Sequence, residues 1–449
     1  MLLIHKGTIV TSEKVQAGSI LIDGERISNI VYDDDPQYAI LETSLRQRHP
    51  DLEIRNIEGL YVIAGGIDPH VHFRDPGLTN KADMSTESRA AAAGGITTVI
   101  DMPNTRPATV DAGTLRQKKD IAKEKSLINI LFHLGVTNTN VPEIKKLISQ
   151  KDEETGVGPE DFAGLKVFMG SSTGNMLVDD ADALDEIFSI TGKNILVHCE
   201  DEQTIKDNLK KAVEQYGEDI PWEEHSRIRS RRACIKSSIA ALEKAISHHT
   251  KLTLCHISTK EEVEMVRAAK LSNPEITAET SCNYLWFSDE DYERLGSRIK
   301  CNPSIKTAAD RQALRDALAN GVIDIIASDH APHLLSEKKG NYRDVPSGIP
   351  SIQHSLQVLL SVAEQEEIPL ERIASVWSEK AADIYALERG KIRRGWYADL
   401  VVFDPKAEHT VTEDELKYKC GWCPYVGEKL KGEIRTVYLA GKPIVDNVL

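Results

Sequence analysis

Eight unbroken apolar runs, most of them separated by helical patterns, dominate the middle of this sequence. They cover residues 61–67, 97–102, 128–136, 164–169, 194–198, 251–256, 275–279 and 323–327. A strand buried on both faces reads as a continuous apolar run, because neither face has to alternate with polar residues. Helical patterns lie at 87–93, 111–124, 181–189, 234–245, 260–271 and 308–319. Eight strand–helix units predict an α/β fold of the (β/α)8, or TIM, barrel type. A doubly wound sheet competes with it, but nothing like GxGxxG follows the first run.

The two ends differ from the middle and resemble each other. Residues 1–64 and 389–449 hold short alternating runs divided by turn residues such as Asp23-Gly24 and Gly441-Lys442, the pattern of antiparallel strands. Strand sets this short need a partner to bury a face. The two ends are therefore expected to form one small β-sandwich domain, with the barrel spanning 65–388. The charged stretch 33–49 is expected to be an inserted surface loop or a short helix.

Composition narrows the function. Among 449 residues, 55 Lys and Arg face 70 Asp and Glu, a net charge of −15. A nucleic-acid partner would call for a basic surface instead, although a local basic pocket for a small anion stays open. No apolar run is long enough to span a bilayer, and Met1–Gly7 turns polar too early for a secretory signal, so no membrane association is expected. Seven cysteines, an odd number at low density, suit a reduced cytoplasmic protein. The CxxC at Cys420 and Cys423 has no second pair to complete a zinc ribbon, and a structural role is expected for it.

In a barrel the C-terminal strand ends meet at one mouth, so residues remote in sequence share a site. The first run leads into His70 and His72, two positions apart and so on one face of a strand, where paired imidazoles suit a zinc ion. Lys166 stands inside the fourth run. An ammonium there is costly to bury, whereas a neutral amine can add CO2 and become a carbamate that bridges two metals. The alternative is a lysine that reaches the mouth and pairs with Glu200 or Asp329. His198 and His256 close the fifth and sixth runs, and period-two alternation turns their neighbours Cys199 and Cys255 the other way. Asp329, past the eighth run, can ligate a metal and carry a proton, or it can cap the segment after it. His330 reads as structural, and His333 as within reach of a substrate. Arg74, two past His72 and so expected to continue the same face, offers a planar fork for a carboxylate. Asn104 and Asn302 also end runs, where turn formation is the other reading.

Asp68-Pro69-His70-Val71-His72-Phe73-Arg74-Asp75-Pro76-Gly77, Met102-Pro103-Asn104-Thr105 and Ser328-Asp329-His330-Ala331-Pro332-His333 together resemble the dihydroorotases of the amidohydrolase superfamily. The resemblance runs in order along essentially the whole chain, as far as the segment Gly395-Trp396-Tyr397-Ala398-Asp399-Leu400. It implies a barrel with two zinc ions per subunit. His70, His72 and Asp329 would hold one ion, His198 and His256 the other, and a carbamylated Lys166 would bridge them. It implies reversible ring closure of N-carbamoyl-L-aspartate to L-dihydroorotate in pyrimidine biosynthesis, with Asp329 moving the proton. His72, Arg74, Asn104 and His333 would bind the substrate. Asn302 and the backbone of Ser347 and Gly348 would contact the ring. A homo-oligomer is compatible with this reading. Two alternatives remain. A hydantoinase, dihydropyrimidinase or allantoinase would share the metal ligands, but dihydrouracil and allantoin have no carboxylate for Arg74. A non-catalytic scaffold for a transcarbamoylase would lack the ligands, and all six are present here.

Overall fold

The computed structural model describes residues 1–170 and 176–446; the last three positions of the expected C-terminal segment lie outside them. The N-terminal strands are β1 (Leu2–Val10), β2 (Val15–Asp23), β3 (Arg26–Tyr32), β4 (Glu53–Asn56) and β5 (Tyr61–Ala64). The barrel strands are β6 (Gly66–Val71), β7 (Ile96–Asp101), β8 (Asn129–Gly135), β9 (Gly164–Phe168), β10 (Asn194–His198), β11 (Leu252–Leu254), β12 (Ile276–Ser281) and β13 (Ile325–Ala327). The chain ends in β14 (Leu400–Thr410), β15 (Lys429–Leu439) and β16 (Lys442–Asp446).

Strands β6 to β13 pair in sequence order and all in parallel. A parallel bridge between Val71 and His330, with the His72 N–H donating to the His330 carbonyl at 2.8 Å, closes the ring. Each of the eight apolar runs contributes one strand to this barrel. The helical patterns become helices outside it, several with capping boxes at their starts, such as Thr259 with Glu262 and Thr307 with Asp310.

The first run differs from its expectation, because it serves two sheets. Its first half is β5, paired with β1 and β14, and its second half opens β6. The break falls at Gly65-Gly66. A Cβ on Gly65 would sit 2.3 Å from Thr97 Oγ1, and one on Gly66 would sit 2.4 Å from the Trp377 ring. Glycine is required where the chain squeezes between the two layers.

Strands from both ends form one sheet in the order β16-β15-β14-β5-β1-β2-β3, with β4 added beside β1. Its period-two alternation feeds two cores. Leu400 and Val402 join Leu2, Ile4, Ile20 and Val62 in the core of the small β-sandwich, whereas Val401 and Val437 join the large cluster shared with the barrel. The stretch 33–49 contains a short helix, Leu41–Arg48. Among the described residues no helix is long and apolar enough to cross a membrane.

Candidate active site

The strand ends surround a cleft lined by His70, His72, Arg74, Lys166, Phe168, His198, His256, Cys301, Asn302, Asp329, Ala331, Ser347 and Gly348. Every residue expected to hold a metal or the substrate is among these except Asn104 and His333, which stand one layer behind. Asn104 Oδ1 is 2.7 Å from His72 Nδ1, and His333 Nε2 is 3.1 Å from an Arg74 guanidinium nitrogen.

The donors fall into two groups. Asp329 Oδ1 lies 3.4 Å from His70 Nε2 and 3.3 Å from His72 Nε2. Across the cleft, His198 Nδ1 and His256 Nε2 are 3.0 Å apart. Nitrogen or oxygen donors that share one tetrahedral zinc at ~2.0–2.1 Å stand about 3.3 Å from each other. The first group matches that spacing, and the second falls slightly inside it. The first group is therefore a candidate site for a metal ion, and the second contributes two more imidazole nitrogens beside it. The opposite ring nitrogens are anchored: His70 Nδ1 on Glu279 Oε1 at 2.7 Å, His72 Nδ1 on Asn104, and His198 Nε2 on Glu200 Oε2 at 3.0 Å. Such outer partners fix which nitrogen faces a metal.

The electrostatics agree with a ligand set. Burial, with the nearby Lys166, keeps His70 far below the ordinary imidazole value, so it offers a lone pair. Burial likewise depresses His256, together with the adjacent His198 and His70. Burial alone would raise the Asp329 carboxyl, but His70 and His72 outweigh it and hold the carboxyl below its usual range.

Lys166 is fully buried in β9, and its amine donates to Cys255 Sγ at 3.1 Å. Neither ion pair considered for it forms among the described residues, because Glu200 is taken by Arg229 and His198, while Asp329 faces the histidines. The amine therefore stands near both donor groups and, among the described residues, makes no ion pair of its own, with the Glu279 and Asp329 carboxylates only in its field. That is a chemical fit for a carbamate.

Two local expectations and one open alternative fail for one reason: regular strand geometry ends early. Cys255 does not turn away from the cleft side, because β11 stops at Leu254 and His256 has a left-handed φ of 37°. The thiol meets Lys166 and packs on Met102 and Leu196. Arg74 does not continue a strand face either. It lies past the end of β6, at φ 62°, and reaches the cleft from a turn. Asp329, at φ 47°, caps no helix, since the chain stays irregular until Ile352–His354. By contrast Cys199 packs in the main apolar cluster as expected. His330 is indeed structural, bound to Glu87 at 2.8 Å and stacked on Tyr418. Cys420 and Cys423 are buried free thiols.

Arg74 is buried, and burial lowers its guanidinium only to about 10, so it stays cationic at neutral pH. Its Nε donates to the Pro332 carbonyl at 3.2 Å. His333 is clamped by a Trp422 N–H donated to its carbonyl at 2.7 Å. Asn302 Oδ1 is buried without a hydrogen-bond partner among the described residues. At Gly348, φ is 146°, and a Cβ would lie 2.3 Å from the Ala331 carbonyl and 2.9 Å from the His333 ring. No side chain fits there.

Sequence reasoning missed the acids beneath the site. Glu279 carries His70 and also accepts the His256 backbone N–H at 3.2 Å. Asp68 accepts the backbone N–H groups of His70 and Ser328, and burial raises it to about 7. The available signal was an acid closing an otherwise buried run, as Glu279 does.

The amidohydrolase family profile matches residues 61–444. The chain is 34% identical over 438 residues to a dihydroorotase of Methanosarcina mazei, covering 94% of this chain and 90% of that protein. It is 29% identical over 464 residues to an allantoinase of Escherichia coli, covering 99% and 95%. The L-hydantoinase (dihydropyrimidinase) of Arthrobacter aurescens superimposes with a TM-score of 0.88 over 100% of this chain and 96% of that one, at 24% identity, a likeness of fold.

Proposed function

Because this chain belongs to the amidohydrolase family and is a cyclic amide hydrolase, we propose that it is a dihydroorotase. It would interconvert N-carbamoyl-L-aspartate and L-dihydroorotate in pyrimidine biosynthesis. The observation that carries this choice is the buried cationic Arg74 in the wall of the cleft that holds the histidine donors. A guanidinium buried there suits a substrate with a carboxylate.

In this reading His70, His72 and Asp329 would hold one zinc ion, His198 and His256 a second, and a carbamylated Lys166 would serve both. When bound, the two ions supply an acidified water and polarise a carbonyl oxygen. The protein does the rest. Arg74 binds the substrate carboxylate, with Asn104 behind it orienting His72 and with His333 alongside. Asn302 and the backbone of Ser347 and Gly348 line the ring. In the hydrolytic direction the Asp329 carboxylate takes the proton of the attacking water and returns it to the departing ring nitrogen. The seven free, buried cysteines support a reducing, cytoplasmic setting.

The likeness to an allantoinase and a hydantoinase keeps a second cyclic amide in view. Turnover of L-dihydroorotate, dihydrouracil and allantoin by one zinc-loaded preparation separates them. Dihydroorotate is expected to be preferred, and preference for either uncharged ring would overturn the assignment.

A further inference from the structure

We propose that Lys81 sets the tautomer of His333 and thereby keeps an Arg74 N–H available for a substrate carboxylate. Lys81 lies in the turn between β6 and the helix Met84–Ala93, outside the residues assigned to the site. Its Nζ is 3.0 Å from His333 Nδ1. An ammonium only donates, so Nδ1 must present its lone pair. At the other end of the ring, His333 Nε2 is 3.0 Å from the Ser347 carbonyl oxygen, which only accepts. Nε2 must therefore carry the proton. The two ends of the ring demand the same tautomer.

Among the described residues the competing tautomer has no acceptor within hydrogen-bond distance. Glu337 Oε2 is 3.8 Å from Nδ1, and its other oxygen is held by Lys81 at 2.9 Å. The ring is neutral, because burial, with Arg74, Lys81 and Lys338 around it, holds His333 far below the ordinary imidazole value.

The consequence falls on Arg74, whose Nη2 lies 3.1 Å from His333 Nε2. With a proton on Nε2 this approach is donor against donor, and the guanidinium hydrogen stays unspent. With a lone pair on Nε2, His333 would accept that hydrogen and compete with the substrate. Lys81 is thus a positioning residue that acts through His333.

The inference rests on the reading of Arg74 as carboxylate binder, but its first test does not. The imidazole nitrogen NMR shifts of His333, assigned by their loss in His333→Gln, report the tautomer without any substrate. Wild type should show protonated Nε2. Lys81→Met should move His333 toward protonated Nδ1, and Lys81→Arg, which keeps a donor, should hold the original state. For L-dihydroorotate, Lys81→Met should raise KM about ten-fold, the size of one compromised hydrogen bond to a charged group, with much less change in kcat. Protonated Nδ1 in wild type, or a tautomer and KM indifferent to Lys81→Met, would overturn the proposal. Absence of any dihydroorotate turnover in wild type would instead strike the substrate reading and leave the tautomer result standing.

Discussion

Oε1 of Glu279 stands 2.7 Å from Nδ1 of His70, and the same oxygen accepts the backbone N–H of His256. One carboxylate thus touches a residue from each of the two donor groups. Burial raises Glu279 to about 8, with Lys166 opposing and Asp329 reinforcing that shift. Outer partners of this kind set ligand orientation at metal sites, and their loss commonly costs about 10–100-fold in affinity. Glu279→Ala should weaken zinc binding by that factor in chelator competition, and Glu279→Gln, which keeps an acceptor, should weaken it less.

Lys166→Ala should abolish nearly all activity and lower the zinc content per chain. Added short carboxylates should restore part of the activity by standing in for the lost bridge. The paired measurement is turnover and metal content with and without acetate, and full activity in the variant would remove Lys166 from the centre.

Asp329→Asn should retain bound metal but lose about 10²–10⁴-fold in kcat, the usual worth of a positioned proton carrier. Stopped-assay turnover beside metal analysis checks it. An unchanged kcat would exclude the proton role.

Arg74→Lys should lower kcat/KM for L-dihydroorotate about ten-fold or more, since an ammonium cannot reproduce the two-pronged contact. Activity toward dihydrouracil, however small, should not fall in parallel, and steady-state kinetics on both rings tests the difference.

Lys338 yields a pH prediction. It is buried and braces the cleft loop, donating to the carbonyls of Pro346 at 2.9 Å and Gly348 at 3.1 Å. Burial, with Lys300 beside it, lowers its amine from 10.5 to about 7. Between those values the unfolded chain binds more protons than the folded one, so this group adds stability as pH rises from about 7 toward 10. Unfolding free energies of wild type and Lys338→Met should diverge in favour of wild type over that range, whatever their difference at neutral pH.

Much of this molecule is legible in the chain because its strands are buried on both sides. Such strands betray themselves as apolar runs, and the residues just past each run must lie at the mouth. His70 and His198 stand out on that ground, and Lys166 as a charged residue inside such a run. Residues beyond the strand ends are harder to place. The left-handed turns at Arg74, His256 and Asp329 come from packing at the mouth, and alternation says nothing about them. Glu279 is visible as a residue but not as a partner, because its contact with His70 joins strands far apart in sequence. The link between Lys81 and His333 is invisible for the same reason: two irregular loops meet there, and neither carries a period.

The shared sheet has a consequence for how this molecule comes into being. β5 is hydrogen-bonded to β14 along its length, from Tyr61 with Phe403 to Ala64 with Leu400, and the next residues begin the strand that bears His70. During synthesis that edge stays open until the tail has left the ribosome. The earliest-made part of the catalytic mouth therefore waits on the last-made strands, and damage to the tail would be felt at the histidines.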